Sequence, residues 1–126
     1  MQLKINVLTK IEENRKTTFY FIQPESKIIL PIDVGEIVID NTYIRTLNAF
    51  EISIESIHVY LYLEGVYYVY LRIHGIQKSF DINTTLQNAL CILECVKTID
   101  IYIETEILEH EGIKITKEML TSYLDT

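Results

Sequence analysis

Between Ile57 and Ile73 the chain alternates aliphatic with polar or aromatic residues on both sides of Glu64-Gly65. Ile57, Val59, Leu61 and Leu63 recur every second residue before the break, and Val69, Leu71 and Ile73 do so after it. A period of two puts such residues on one face of a strand, and Glu-Gly permits a tight reversal, so the segment predicts a β-hairpin. The aliphatic residues then share one face and the aromatic ones the other. A three-residue loop, Glu64-Gly65-Val66, is the register expected from these faces. It pairs Leu61 with Val69, Val59 with Leu71, Tyr62 with Tyr68 and Tyr60 with Tyr70, whereas a two-residue turn sets Leu61 opposite Tyr68 and mixes the sides. The same register sets His58 opposite Arg72, with His74 one step diagonal.

Further strands follow from the same reasoning. Leu3, Ile5 and Val7 alternate with polar residues, Thr17 to Gln23 is β-branched and aromatic, and the polar run Glu12 to Lys16 joins them as an antiparallel pair. Pro24 to Lys27 turns the chain into Ile28 to Val34, where Pro31 lacks a ladder donor and marks an edge or a bulge, and Gly35 ends the strand. Phe50, Ile52 and Ile54 alternate as a strand. The apolar parity switches at Ile57, which predicts a bulge near Glu55-Ser56. Lys78 to Ile82 and Ile99 to Glu104 complete the set.

Helical spacing appears from Glu36 to Leu47, with Ile37, Ile44 and Leu47 on one side, although Ile37-Val38-Ile39 equally fits a strand. Thr84-Thr85-Leu86-Gln87 has capping-box spacing and opens a helix whose apolar face is Leu86, Ala89, Leu90 and Leu93. A short helix after Thr105 ends at Gly112, expected as a left-handed cap. Met119, Leu120, Tyr123 and Leu124 mark a last helix after Thr116. These elements predict a single α+β domain over residues 1–126, a mainly antiparallel sheet with about three helices packed on it.

With 126 residues, 48% of them hydrophobic, the chain has enough material for one core. Its net charge of −7 opposes the non-specific attraction that draws proteins to nucleic acid and to anionic membranes. No apolar run reaches spanning length and the first ten residues lack the features of a signal peptide, so no membrane and a cytoplasmic location are expected. Cys91 and Cys95, four apart in a helical segment, read as thiols in the core rather than a redox or metal pair.

Two groupings have chemical potential. His58, Tyr60, Tyr70 and Arg72 on the aromatic hairpin face form a candidate binding patch, able to stack bases and hold a phosphate or to meet another protein surface. Glu106, Glu109 and His110 fall on one side of the short helix at a spacing compatible with a metal, but a solvated acidic face is the better reading of them, since no second cluster completes the coordination.

Taken in order, Leu30-Pro31-Ile32 with Gly35-Glu36, then Leu63-Glu64-Gly65-Val66-Tyr67-Tyr68, Asp81, and Ile101-Tyr102-Ile103 followed by Ile107-Leu108-Glu109 and Gly112-Ile113 resemble the bifunctional nuclease family. The likeness covers roughly residues 3–115. It implies a small α+β domain, self-association with a dimer as the first expectation, and hydrolysis of DNA and RNA phosphodiesters with a divalent metal such as magnesium or manganese. Glu36 and Asp81 stand where catalytic carboxylates would be expected, as metal ligands or as a water-orienting pair.

The chain also departs from the family pattern. Val38 and Ile39 replace an acidic and a small residue, the Arg-Pro-Leu-Thr-His-Asp stretch is missing, Asn83 takes the place of an arginine and Leu86 that of a second aspartate. Losing one electrostatic element of this kind commonly costs about a hundredfold in rate, so the resemblance implies a nuclease whose activity is weakened or lost. The alternative is a non-enzymatic homo-oligomeric binding or assembly module that uses the tyrosine-rich face.

Overall fold

A computed structural model describes residues 1–37 and 41–115. In chain order the elements are β1 (Gln2–Glu13), β2 (Lys16–Gln23), β3 (Ile28–Val34), α1 (Thr42–Ala49), β4 (Ser53–Leu63), β5 (Val66–His74), β6 (Ser79–Thr85), α2 (Leu86–Cys95), β7 (Asp100–Glu104), α3 (Thr105–Glu111) and β8 (Ile113–Lys114). The eight strands form one sheet in the order β6-β5-β4-β7-β1-β2-β3-β8. Only β4 and β7 pair in parallel; the other neighbours are antiparallel. The α+β expectation therefore holds. The helix expected after Thr116, and Val38 and Ile39 of the earlier one, lie outside the described residues.

β1 joins the two halves of the sheet. Gln2 to Ile5 pair with β7, and Asn6 to Glu13 pair with β2 after a register shift between Val7 and Thr9. Alternation buries Ile5 from β1, Phe19 and Phe21 from β2, Leu30 and Ile32 from β3, Ile57 and Val59 from β4, Val69, Leu71 and Ile73 from β5, and Ile101 and Ile103 from β7 on one side. Ala89, Leu90 and Leu93 of α2 and Ile107 and Leu108 of α3 complete this core, with Ile44 of α1 packed at its margin. Burying each large aliphatic side chain stabilises by about 1.5–3 kcal/mol before chain entropy is charged against it. Lys10 on β1 reaches Glu94 on α2 at 3.1 Å and fastens the helix to the sheet.

Several local expectations shift, each for an identifiable reason. The first helix begins at Thr42 rather than near Glu36, and Phe50 sits exposed in the turn that follows it, where Glu51 has φ 59°. The α2 N-cap is Thr85, whose hydroxyl accepts from the Asn88 amide at 3.1 Å, instead of Thr84. Gln87 makes no capping box and donates to the Glu36 carbonyl at 3.1 Å. Pro31 does lie at an edge, because β8 pairs with β3 only at Ile28 and Ile29.

The hairpin corrects the expected register. Glu64 and Gly65 form a two-residue turn, with φ 50° and 80° as the primed hairpin turns require, and Leu63 pairs with Val66. Leu61 does stand opposite Tyr68, but a bulge at Tyr60 absorbs one residue, so Val59 meets Val69, Ile57 meets Leu71 and His58 meets Tyr70. The expected faces hold from Ile57 to Val59, but beyond the bulge at Tyr60 they exchange, so Leu61 and Leu63 come to the open face. A second bulge at Glu55, expected from the parity switch, sets Ser56 opposite Arg72. Tyr62 and Tyr67 pair beside the core instead of joining the aromatic face.

Gly112 is not a left-handed cap. Its φ of −84° and ψ of 164° are open to any residue. Glycine is required there by proximity: a Cβ would overlap Ile28 Cγ2 and the Leu108 carbonyl oxygen. Gly112→Ala should therefore destabilise the fold by roughly 1–3 kcal/mol, read as a lower urea midpoint, whereas Gly65→Asn in the turn should be tolerated.

Candidate functional site

Strand pairing places side chains in rows across the side of the sheet that no helix covers among the described residues. One row runs Asn83, Tyr70, His58, Tyr102 and Lys4 through β6, β5, β4, β7 and β1. The next runs Asp81, Arg72, Ser56 and Asp100. Neighbouring strands lie about 4.8 Å apart, so flat rings at matched positions stack at nearly that spacing. The His58 ring stands 4.6 Å from that of Tyr70, at 8° between planes, and 5.1 Å from that of Tyr102, at 11°. Tyr60 leans on Tyr70 at 5.5 Å, and the Arg72 guanidinium lies 5.8 Å from the Tyr70 centroid.

This stack covers the imidazole from both sides, leaving His58 only 4% exposed although its strand faces outward. Both ring nitrogens are engaged. Nδ1 lies 2.6 Å from Gln2 Oε1, and Nε2 lies 2.6 Å from Ser56 Oγ. An amide oxygen only accepts, so Nδ1 carries the proton; in the neutral ring Nε2 then accepts from the Ser56 hydroxyl. Burial, and secondarily the positive charge of Arg72, hold the imidazole below its ordinary range, against smaller opposing effects of Asp81 and Glu55. The result is a serine, a neutral base and an amide in series. Ser56 is 5% exposed, at the foot of a row flanked by longer side chains.

The expected binding residues His58, Tyr60, Tyr70 and Arg72 do gather on this face, though His58 faces Tyr70 and not Arg72. Ser56 was legible as a same-face neighbour, two residues before His58. Gln2 and Tyr102 were missed, because nothing local brings residues 2, 58 and 102 together. Three cations of this face are closed by a carboxylate: Arg72 by Asp81 at 3.1 Å, Lys4 by Asp100 at 3.0 Å, and the terminal ammonium by Glu104 at 3.1 Å.

Glu36 and Asp81 do not come together. Asp81 is on the open face, held by Arg72, whereas Glu36 lies against Gln87 of α2 on the covered side and lines a hollow at the β1–β2 turn. Glu106 and His110 do border one cleft, of about 450 Å³, with Glu104, Glu111, Tyr60 and Tyr62, but Glu109 does not. Among the described residues no three His, Cys, Asp or Glu side chains are placed to share a metal ion. Next to the cleft, burial first and the Glu111 charge second push the Tyr67 phenol up to about 12. Cys91 and Cys95 are half-buried on α2 and form no disulfide.

The depressed His58 makes stability depend on pH in a defined direction. The unfolded chain binds its proton near the ordinary value of 6.5 and the folded chain only at lower pH. The unfolded state therefore holds more protons between the two values, and stability falls as pH drops through that window. Urea midpoints from pH 8 to pH 5 should decline for the native chain before carboxylates begin to titrate. In His58→Gln that part of the slope should vanish.

Compared with known proteins, the chain matches no family model and no curated sequence.

Proposed function

We propose that this chain is a divergent bifunctional-nuclease-like domain that works as a homo-oligomeric assembly module through the open face of its sheet, with hydrolysis weakened or lost. The observation that carries this reading is the charge pairing on the face. In a chain of net charge −7, a second copy is repelled by most surfaces, but here Arg72, Lys4 and the terminal ammonium are each neutralised in place. Towards the hairpin turn the face becomes apolar and exposed, through Leu61, Leu63, Val66 and Tyr68, with Tyr60 alongside. Tyrosine-rich, uncharged surfaces of this kind are enriched at protein interfaces, and a self-complementary patch closes as a two-fold dimer.

The same pairing counts against nucleic acid as the partner. A phosphate would have to compete with Asp81 for Arg72 and with Asp100 for Lys4, and counterion release is small when the protein supplies its own counterions. The nuclease reading is further weakened by the separation of Glu36 from Asp81, since stabilising the charge on a phosphoryl transition state needs both carboxylates at one centre.

Light scattering coupled to size-exclusion chromatography should give at least a dimer mass for the native chain, little changed between low and high salt. Leu61→Glu and Tyr68→Glu, which alter exposed side chains and leave the core intact, should return it to monomer. A monomeric native chain overturns the assembly reading. Labelled DNA and RNA incubated with magnesium or manganese should stay intact; cleavage that is lost in Glu36→Ala/Asp81→Ala would restore the enzyme.

A further inference from the structure

The row containing Ser56 holds more organisation than a binding face requires. A hydroxyl becomes nucleophilic when a neutral base takes its proton as the bond forms, and the base is effective when its second nitrogen is fixed by another group. Ser56 Oγ donates to His58 Nε2 at 2.6 Å, and His58 Nδ1–H donates to Gln2 Oε1 at 2.6 Å. The ring cannot rotate away, because Tyr70 and Tyr102 clamp both of its faces. On the neighbouring strand Arg72 pairs with Ser56 in register. Arg72 Nε and Nη2 donate to Asp81 on β6, which turns the guanidinium away from β4 and leaves the relay to Ser56, His58 and Gln2.

We propose that Ser56 is a nucleophile that accepts the acyl group of small carboxylic esters, with His58 as its base and Gln2 as a positioning residue. Ser56 Oγ adds to the ester carbonyl carbon as its proton passes to His58 Nε2. The tetrahedral oxyanion collapses, the carbon–oxygen bond to the leaving alcohol breaks, and that alkoxide takes the proton from Nε2. Water then attacks the acyl-serine with His58 again as base, releasing the carboxylic acid and restoring the hydroxyl. No oxidant, reductant or metal enters the balance.

Access is from the side of the sheet that no helix covers. Ser56 lies five residues along β4 from Leu61, roughly 15 Å at the usual strand rise, and with 5% exposure between Arg72 and Asp100 it is reached by an acyl group that displaces those flanking side chains. The inference does not rest on the assembly reading, and the two fail in different measurements. The charged and titratable groups around the relay are Glu55 on its own strand, Tyr70, Arg72 and His74 on β5, Asp81 on β6, Asp100, Tyr102 and Glu104 on β7, and Lys4 on β1 with the terminal ammonium before it. Arg72 with Asp81 and Lys4 with Asp100 are closed pairs, and His74 bonds to Ser79 rather than to the relay.

The test uses the full chain and p-nitrophenyl acetate. The expected result is a stoichiometric burst of p-nitrophenolate, with peptide mapping placing the acetyl group on Ser56. Ser56→Ala should abolish the burst while leaving the circular dichroism unchanged. His58→Gln should slow acylation about a hundredfold or more, the usual contribution of a general base. In the native chain the rate should rise with pH and level off below the ordinary imidazole value. Gln2→Glu, which puts a carboxylate behind the ring, should move that midpoint upward, a shift that a purely structural role would not produce. Acetylation confined to lysines or tyrosines, equal acylation of Ser56 in His58→Gln, or a rate that climbs without a plateau to pH 9 would each overturn the proposal.

Discussion

The two bulges in β4 decide which side chains the molecule shows to water and which it hides. A strand without them would carry its parity unbroken from Ser53 to Leu63, and aliphatic residues at one end would emerge on the wrong side of the sheet at the other. The extra residue at Glu55 lets Ile54 and Ile57 both face the core. The extra residue at Tyr60 lets a tight Glu64-Gly65 turn coexist with the pairing of Val59 and Val69. Between the bulges lie Ser56 to Val59, and all four are buried. The aliphatic pair is covered by the helices, while the polar pair is covered by rings from β5 and β7. Core and relay are therefore two products of one local irregularity.

Much of the architecture was legible because it is periodic. Alternation in Ile57 to Ile73 and in Thr17 to Gln23 gave the strands and their buried sides, and the parity change at Glu55 gave a bulge. What escaped was whatever depended on a single residue's displacement or on distant pairing. A longer loop keeps Leu61 and Leu63 on the aliphatic side, whereas the bulge at Tyr60 turns them to the open one, and periodicity alone does not reveal a displacement of one residue. Thr84 and Thr85 are equivalent as caps until the last pairing of β6 with β5, Tyr68 with Thr85, fixes where the helix starts. Gly112 invited a conformational explanation, yet its reason is the nearness of Ile28, more than eighty residues upstream.

The candidate site shows the same division. His58, Tyr60, Tyr70 and Arg72 were visible as a face because they share a hairpin. Gln2 and Tyr102 enter through β1 and β7, of which β7 pairs with β4 in parallel and β1 follows on its far side. Glu36 and Asp81, chosen through resemblance, lie on different sides of the sheet. Asp81 instead answers Arg72, an arrangement that stabilises the charge of each but withdraws the carboxylate from a metal and the guanidinium from a phosphate.

The split pairing of β1 bears on how the molecule is assembled in time. Gln2 can reach His58 only after the start of the chain has paired with β7, whose partners Gln2 and Glu104 are about a hundred residues apart. Contacts of such separation carry the largest loop-closure cost and form after local hairpins, so the relay is completed by one of the slowest pairings in the fold. Ser56 and His58 can meet within their own strand, but the amide that fixes the tautomer arrives with the last-formed seam. A nascent or partly unfolded chain thus carries a serine and a histidine without their orienter, and the finished alignment exists only in molecules whose sheet has closed from β6 to β3.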